Sequence, residues 1–266
     1  MKPTSDVLNQ FGIAGDPILL PGGEGRTYRA GDAIIKHIHN DDPLYSEWIA
    51  NLFDGITEDG FRVSKAIRTK TGAWITTDGW TAWTRLDGNH EYRNHIPESI
   101  AAIQAFHEAV RTAPKPQFLE RTDDSPYSKA DRYAWGAKPE YIHPDVRSDV
   151  ELLYSLRRPV EGLHDQVIHG DLNPDNILLA PGLPPAIIDI APYWRPPEFA
   201  LAIYAYWIGP WRDDPKILKY FEDIPHFSQM LIRAAIRMLL IMSEFNRVHE
   251  IEKYRRATEI INDYIK

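Results

Sequence analysis

The ten residues His169-Gly170-Asp171-Leu172-Asn173-Pro174-Asp175-Asn176-Ile177-Leu178 are where this chain could do chemistry. They hold H-x-D, then four residues and an asparagine, and a second acid, Asp189, follows the apolar run Ala186-Ile187-Ile188. Phosphoryl transfer needs such a set: one carboxylate to orient an attacking hydroxyl, and hard oxygen ligands to hold Mg²⁺ on nucleotide phosphates. Asp171 is the candidate to receive the hydroxyl proton, while Asn176 and Asp189 are the candidate metal ligands. Taken singly, Asp171, Asp175 and Asp189 read as solvated turn residues. The combined spacing is what points to catalysis.

These residues need elements to position them. Ile177-Leu178-Leu179 and Ala186-Ile187-Ile188 read as two short strands joined by a Pro/Gly turn. If Leu179 opposes Ala186, the antiparallel register sets Asn176 opposite Asp189 at the open end of the hairpin. Upstream, residues 18–36 read as strand, glycine-rich turn, strand, tight turn, strand. Gly22, Gly23 and Gly25 let backbone N–H groups approach a phosphate, and Lys36 ends a strand where a phosphate-binding lysine would sit. A helix starting at Asp42-Pro43 carries Glu47, the candidate partner of Lys36. Further strands are expected at 61–63, 73–76 and 81–84, with a hinge at Arg85-Leu86-Asp87-Gly88.

Beyond the hinge the pattern turns helical. Residues 99–107 place Ile103, Phe106 and His107 on one stripe, which makes His107 a packed core histidine rather than a catalyst. Residues 121–139 are polar, with Pro126, Gly136 and Pro139, and read as a loop. Ser148 to Glu151 fits a capping box opening a short helix. Residues 230–242 read as a core helix with two polar positions, Arg233 and Arg237, and residues 248–265 as an amphipathic helix. Tyr193, Trp194, Tyr206, Trp207 and Trp211, with Asp213 and Asp214, could hold a cationic or sugar-like acceptor. Buried aromatics with surface acids are the plainer reading.

The 266 residues can bury a sizeable core, and 43% hydrophobic with 11% aromatic residues exclude a disordered chain. There is no cysteine, hence no disulfide framework and no thiol nucleophile. A net charge of -8 argues against broad nucleic-acid or anionic-membrane binding. No stretch is long and apolar enough for a bilayer, and the N-terminus lacks a secretory pattern, so a cytoplasmic location is expected. No oligomeric state follows from the sequence.

Residues 167–178 followed by Ile187-Ile188-Asp189 resemble the aminoglycoside phosphotransferase/choline kinase family. The glycine-rich turn, Lys36, the hinge ending in Gly88 and the Phe106-His107 helix fall in that family's order. The resemblance implies an α+β, protein-kinase-like two-lobed fold. A small β-rich N-lobe (1–86) would bind nucleotide phosphates, and a mostly helical C-lobe (87–266) would hold the catalytic loop, metal site and acceptor pocket. By similarity Asp171 is the base, Asn176 and Asp189 bind Mg²⁺, and Lys36 contacts the phosphates of ATP (or GTP). The implied activity is ATP- and Mg²⁺-dependent phosphorylation of a small-molecule hydroxyl: an aminoglycoside-like antibiotic, an amino alcohol or a sugar. The alternative is a catalytically silent, nucleotide-binding pseudokinase with a regulatory role. A protein Ser/Thr kinase comes third, because Asp-Phe-Gly and Ala-Pro-Glu are missing. The chain departs from the family at Asn173 and Asp175, where His and Gly are frequent, and in the stretch after Asp189, where Glu198 stands in for an Asp.

Overall fold

A computed structural model describes residues 1–21, 25–38, 43–120, 124–246 and 250–266. The chain opens with α1 (Ser5–Phe11), whose N-cap Thr4 hydroxyl accepts from the Val7 N–H and whose end is closed by Gly12 at φ 70°. Strands β1 (Ile18–Leu19), β2 (Thr27–Ala30) and β3 (Ala33–His37) precede α2 (Pro43–Gly55), β4 (Arg62–Val63) and β5 (Trp80–Thr84). After the hinge come α3 (Ile96–Ala109), α4 (Pro126–Ala134), α5 (Pro144–Leu156), β6 (Gln166–His169), β7 (Ile177–Leu178), β8 (Ala186–Ile187) and β9 (Pro192–Arg195). The chain ends with α6 (Pro197–Ile208), α7 (Phe227–Glu244) and α8 (Ile251–Ile265).

Two lobes result. The first is an antiparallel sheet in the order β1-β2-β3-β5. Its inward residues Tyr28, Ala30, Ile35, Trp80 and Ala82 pack on Val7, Leu8 and Phe11 of α1 as a small core. Lys36 lies opposite Thr27 and Thr81, on the face away from Ile35. The larger core belongs to the helical lobe, centred on α6 and α7, and it also takes in Ile49 and Phe53 of α2 with Phe61 and Val63.

Several elements differ from the sequence expectation. The strand at 61–63 forms, but it leaves the N-lobe sheet and pairs in parallel with β8, Arg62 opposite Ala186. The strand at 73–76 shrinks to one bridge, Ile75 to Thr81. Here threonine hydroxyls take the backbone donors a ladder would use: Thr69 Oγ1 accepts from Ala73 N, and Thr76 Oγ1 from Trp80 N. The polar stretch 121–139 contains α4. Ser125 caps it and Pro126 occupies its first turn, so this proline starts a helix instead of marking a loop. Helix α5 begins at Pro144, ahead of the Ser148 capping box, because His143 Nδ1 accepts from the Asp145 N–H. The last helix begins at Ile251; Val248 lies outside the described residues, as does Asp42 ahead of α2. Among the described residues no helix is long and apolar enough to cross a membrane.

Candidate active site

Strand β6 is buried along its length and ends at His169, with Gly170 and the exposed Asp171 following. The chain then makes a 3-10 turn over Pro174–Asn176, capped by Asn173 Oδ1, which accepts from Asp175 N at 2.8 Å. Asn173 therefore has a local role of its own in shaping the loop. Asn176 Nδ2 donates to the Asp171 backbone oxygen at 2.7 Å and approaches Asp171 Oδ2 at 3.5 Å. This bond commits the amide nitrogen and leaves Oδ1 as the acceptor of Asn176, a hard oxygen suited to a divalent cation. Asp171 is exposed and Asn176 is nearly buried.

The hairpin register is one residue away from the expectation. Leu178, not Leu179, opposes Ala186, and Ile177 opposes Ile187. Leu179 is taken by the hinge: it exchanges both backbone hydrogen bonds with Asn89, at 2.8 and 2.9 Å. Asn176 consequently sits opposite Ile188, whose N–H donates to its carbonyl at 3.0 Å. Asp189 comes one position later. A continued strand would turn its side chain to the other face, but Asp189 has φ 53°, in the left-handed region. That conformation ends the strand alternation at Asp189 and is uncommon for a residue other than glycine.

The N-lobe reaches this region through Lys36, whose Nζ contacts the Asp189 carboxylate directly. Both side chains remain partly solvated, at 30% and 47% exposure, so the pair contributes little to stability and can be exchanged for a ligand. Glu47, the expected partner of Lys36, is exposed on α2, and Lys36 pairs with Asp189 instead. Gly25 adopts φ 70° with open space around it, whereas Gly22 and Gly23 lie outside the described residues. Helix α2 meets the segment after Asp189 by another route. Tyr45 Oη donates to the Ile190 carbonyl at 2.7 Å, and Tyr45 and Trp48 pack edge-on against Phe118. At the hinge, Gly88 runs so close to β7 that an added Cβ would lie 2.8 Å from Leu178 Cβ.

Two buried histidines brace the loop from behind. His107 Nδ1 donates to the Ile103 carbonyl at 2.7 Å, and its Nε2 accepts from His169 N at 3.2 Å. His169 Nε2 donates to the Ile188 carbonyl, while its Nδ1 accepts from Asp171 N and Ala191 N. Each ring thus acts as one donor and one acceptor face, the neutral form. Burial lowers the His107 pKa to about 3, against the opposing pull of the Ile103 carbonyl. Burial also lowers that of His169, opposed by Asp171, the Ile188 carbonyl and Asp189. The reading of His107 as a core histidine holds, with the addition that it ties β6 to α3.

Tyr193 and Arg237, which sequence reasoning did not connect with the loop, also meet here. The Tyr193 ring covers Gly170, and Arg237 of α7 donates to the Gly170 carbonyl at 2.8 Å. Two arginines in the apolar run 230–242, Arg233 and Arg237, are visible in the sequence, but which of them meets the loop is not. The downstream aromatics separate. Tyr193 faces Gly170, Lys115 stands over Trp194, and Tyr206, Trp207 and Trp211 pack with one another and with Tyr254. Asp213 pairs with Arg256 at 2.8 Å. Most of this set serves packing between helices.

A β-rich lobe presenting a lysine to a carboxylate, above a loop that joins an aspartate to an asparagine amide, defines the protein-kinase-like class of phosphoryl-transfer folds. The chain belongs to the phosphotransferase enzyme family, whose profile matches residues 19–218, and it is accordingly a phosphotransferase. Among solved structures it is similar to a choline kinase from Streptococcus pneumoniae, at 14% identity and TM-score 0.61 over 97% of each chain. It is also similar to a spectinomycin phosphotransferase bound to ADP and spectinomycin, at 13% identity and TM-score 0.58 over 97% and 96% of the two chains. An aminoglycoside phosphotransferase in ternary complex with AMP-PNP and hygromycin B gives 12% identity and TM-score 0.62 over 97% of each chain. At such identities the likeness is one of fold. No curated protein sequence matches the chain.

Proposed function

We propose that this protein moves the terminal phosphoryl group of ATP to a hydroxyl of a small molecule, with Asp171 as base and Asn176 and Asp189 as the metal ligands. What supports the reading is a chain of direct contacts: Lys36 meets the Asp189 carboxylate, the Ile188 N–H beside Asp189 donates to the Asn176 carbonyl, and the Asn176 amide donates to the Asp171 carbonyl. Asn176 Oδ1 and the Asp189 carboxylate are two hard oxygens, a number suited to Mg²⁺ held jointly with nucleotide phosphates. Bound there, Mg²⁺ would neutralise charge on the phosphates as the leaving oxygen departs.

The chain's own residues account for the rest. Lys36 exchanges Asp189 for a phosphate oxygen, its flexible stem and compact charge suiting that swap. Asp171 accepts the proton of the acceptor hydroxyl as that oxygen attacks phosphorus, and the Asn176 amide steadies the aspartate meanwhile. The neutral His169 fixes the Asp171 backbone N–H. The structural relatives' acceptors, spectinomycin and hygromycin B, and a choline kinase among them, support an acceptor of aminoglycoside, amino-alcohol or sugar type.

Calorimetric titration with ATP, with and without Mg²⁺, tests the reading in the wild type and in Asp189→Ala. The expected result is Mg²⁺-enhanced binding that the variant loses. A folded protein that binds neither ATP nor GTP would overturn the proposal.

A further inference from the structure

Gly170 admits no side chain. A Cβ built on it would lie 2.1 Å from Cδ2 of Tyr193, whose ring occupies that space. The loop therefore carries no side chain of its own beside Asp171 on this side. A cation comes instead from α7, 67 residues further along the chain. Arg237 of α7 is 3% exposed, its Nη1 donates to the Gly170 carbonyl at 2.8 Å, and its guanidinium carbon stands 4.8 Å over the Tyr193 ring.

The Gly170 carbonyl and the Asp171 N–H are the two polar ends of one planar peptide unit. Arg237 holds the first end, and His169 Nδ1 holds the second at 3.2 Å. Gly170 N is fixed as well, donating to the Ala191 carbonyl at 2.7 Å. With both ends of this peptide anchored, the direction in which Asp171 leaves the backbone is set. Resting on the kinase reading above, we propose that Arg237 is a positioning residue for the reaction: it orients Asp171 through the Gly170–Asp171 peptide.

A purely structural arginine would be a poor choice here. Burial disfavours its charge, which Tyr193, Asp131 and Asp171 offset, and its Nε has no partner among the described residues. A buried charge is weak evidence for a stabilising role, since replacing a whole buried ion pair by well-packed apolar side chains is often neutral. Arg233, one turn earlier, supplies the control. Its guanidinium serves the Gln229 and Arg158 carbonyls and does not touch the loop.

The test compares wild type, Arg237→Met, Arg237→Lys and Arg233→Met in three measurements. These are MgATP affinity by calorimetry, ADP release from MgATP with water as acceptor, and amide exchange across residues 169–176. For Arg237→Met the expected result is a fall of about 10²-fold in the turnover number at unchanged MgATP affinity. Loop amides should exchange about tenfold faster, the equivalent of one lost hydrogen bond. Arg237→Lys retains a donor and should recover much of both, and Arg233→Met should stay within about twofold of wild type by the same scale. Unchanged loop exchange in Arg237→Met would overturn the proposal. So would Arg233→Met losing as much as Arg237→Met, which would make Arg237 an ordinary core contact. A wild type that binds no MgATP would sink the kinase reading separately, and loop exchange would still decide whether Arg237 holds the peptide.

Discussion

Asp171 is constrained by its backbone and exposed at its carboxylate end. Its backbone N–H is taken by His169, its carbonyl by the Asn176 amide, and its carboxylate is left exposed to the cleft. Removing its basicity while preserving its shape should separate chemistry from binding. In Asp171→Asn, turnover of an accepted substrate is expected to fall roughly 10²–10⁴-fold, the usual contribution of a positioned base. MgATP affinity should stay near wild type, because the nucleotide is assigned to Lys36, Asn176 and Asp189. Kinetics of ADP release together with calorimetry make the comparison, and undiminished turnover in Asp171→Asn would remove Asp171 from the mechanism.

At the scale of elements, α3 and α2 hold the loops through single contacts whose loss can be measured. His107 links α3 to β6, and its pKa of about 3 lies far below the ordinary 6.5. The folded state thus binds fewer protons than the unfolded chain between those values, so stability is full above about 6.5 and declines as pH falls towards 3. His169 titrates in the same sense. His107→Gln keeps a donor and an acceptor but removes one titrating group. Its urea stability should therefore lose up to about 1.4 kcal/mol less per pH unit than wild type between pH 6 and 4. Identical slopes would show that His107 is not held neutral. Helix α2 is linked through Tyr45 to the Ile190 carbonyl beside Asp189. Tyr45→Phe should cost about 1 kcal/mol in urea unfolding and weaken MgATP binding about fivefold; full affinity would mean that α2 does not help to place Asp189. These contacts mark the limit of sequence reading. The loop residues were legible because their spacing is local, and Lys36 because it lies beside the end of a strand. The hairpin register was not, since Leu179 is claimed by Asn89 some ninety residues upstream. Tyr45 and Arg237 act on backbone carbonyls, which leave no trace in side-chain patterns. Helix α4 was hidden because Pro126 ends a pattern in one context and starts a helix in another.

Over the whole molecule, the two lobes differ in how much holds them. The larger core runs through α6 and α7 and reaches out to Ile49, Phe53 and Val63, so α2 and β4 are packed with the helical lobe. The sheet β1-β2-β3-β5 rests on the smaller core against α1. It is the unit whose local opening should cost least. Its direct charge link to the helical lobe at the cleft, Lys36 to Asp189, is half-solvated and weak. A ligand that binds Lys36 on one side and Asp189 on the other would replace that weak link with a strong one. At a concentration about 100 times its dissociation constant, MgATP should stabilise the fold by about 2.7 kcal/mol. For a chain of this size that corresponds to a rise of roughly 5–10 °C in Tm. The protection should be uneven: amides of β2 and β3 should slow more than those of α6 and α7, which the larger core already protects. Asp189→Ala should lose both the Tm shift and the added protection in the sheet. Thermal melts and amide exchange with and without MgATP make the measurement. An equal shift in Asp189→Ala, or protection confined to the helical lobe, would show that nucleotide binding does not join the lobes through this carboxylate.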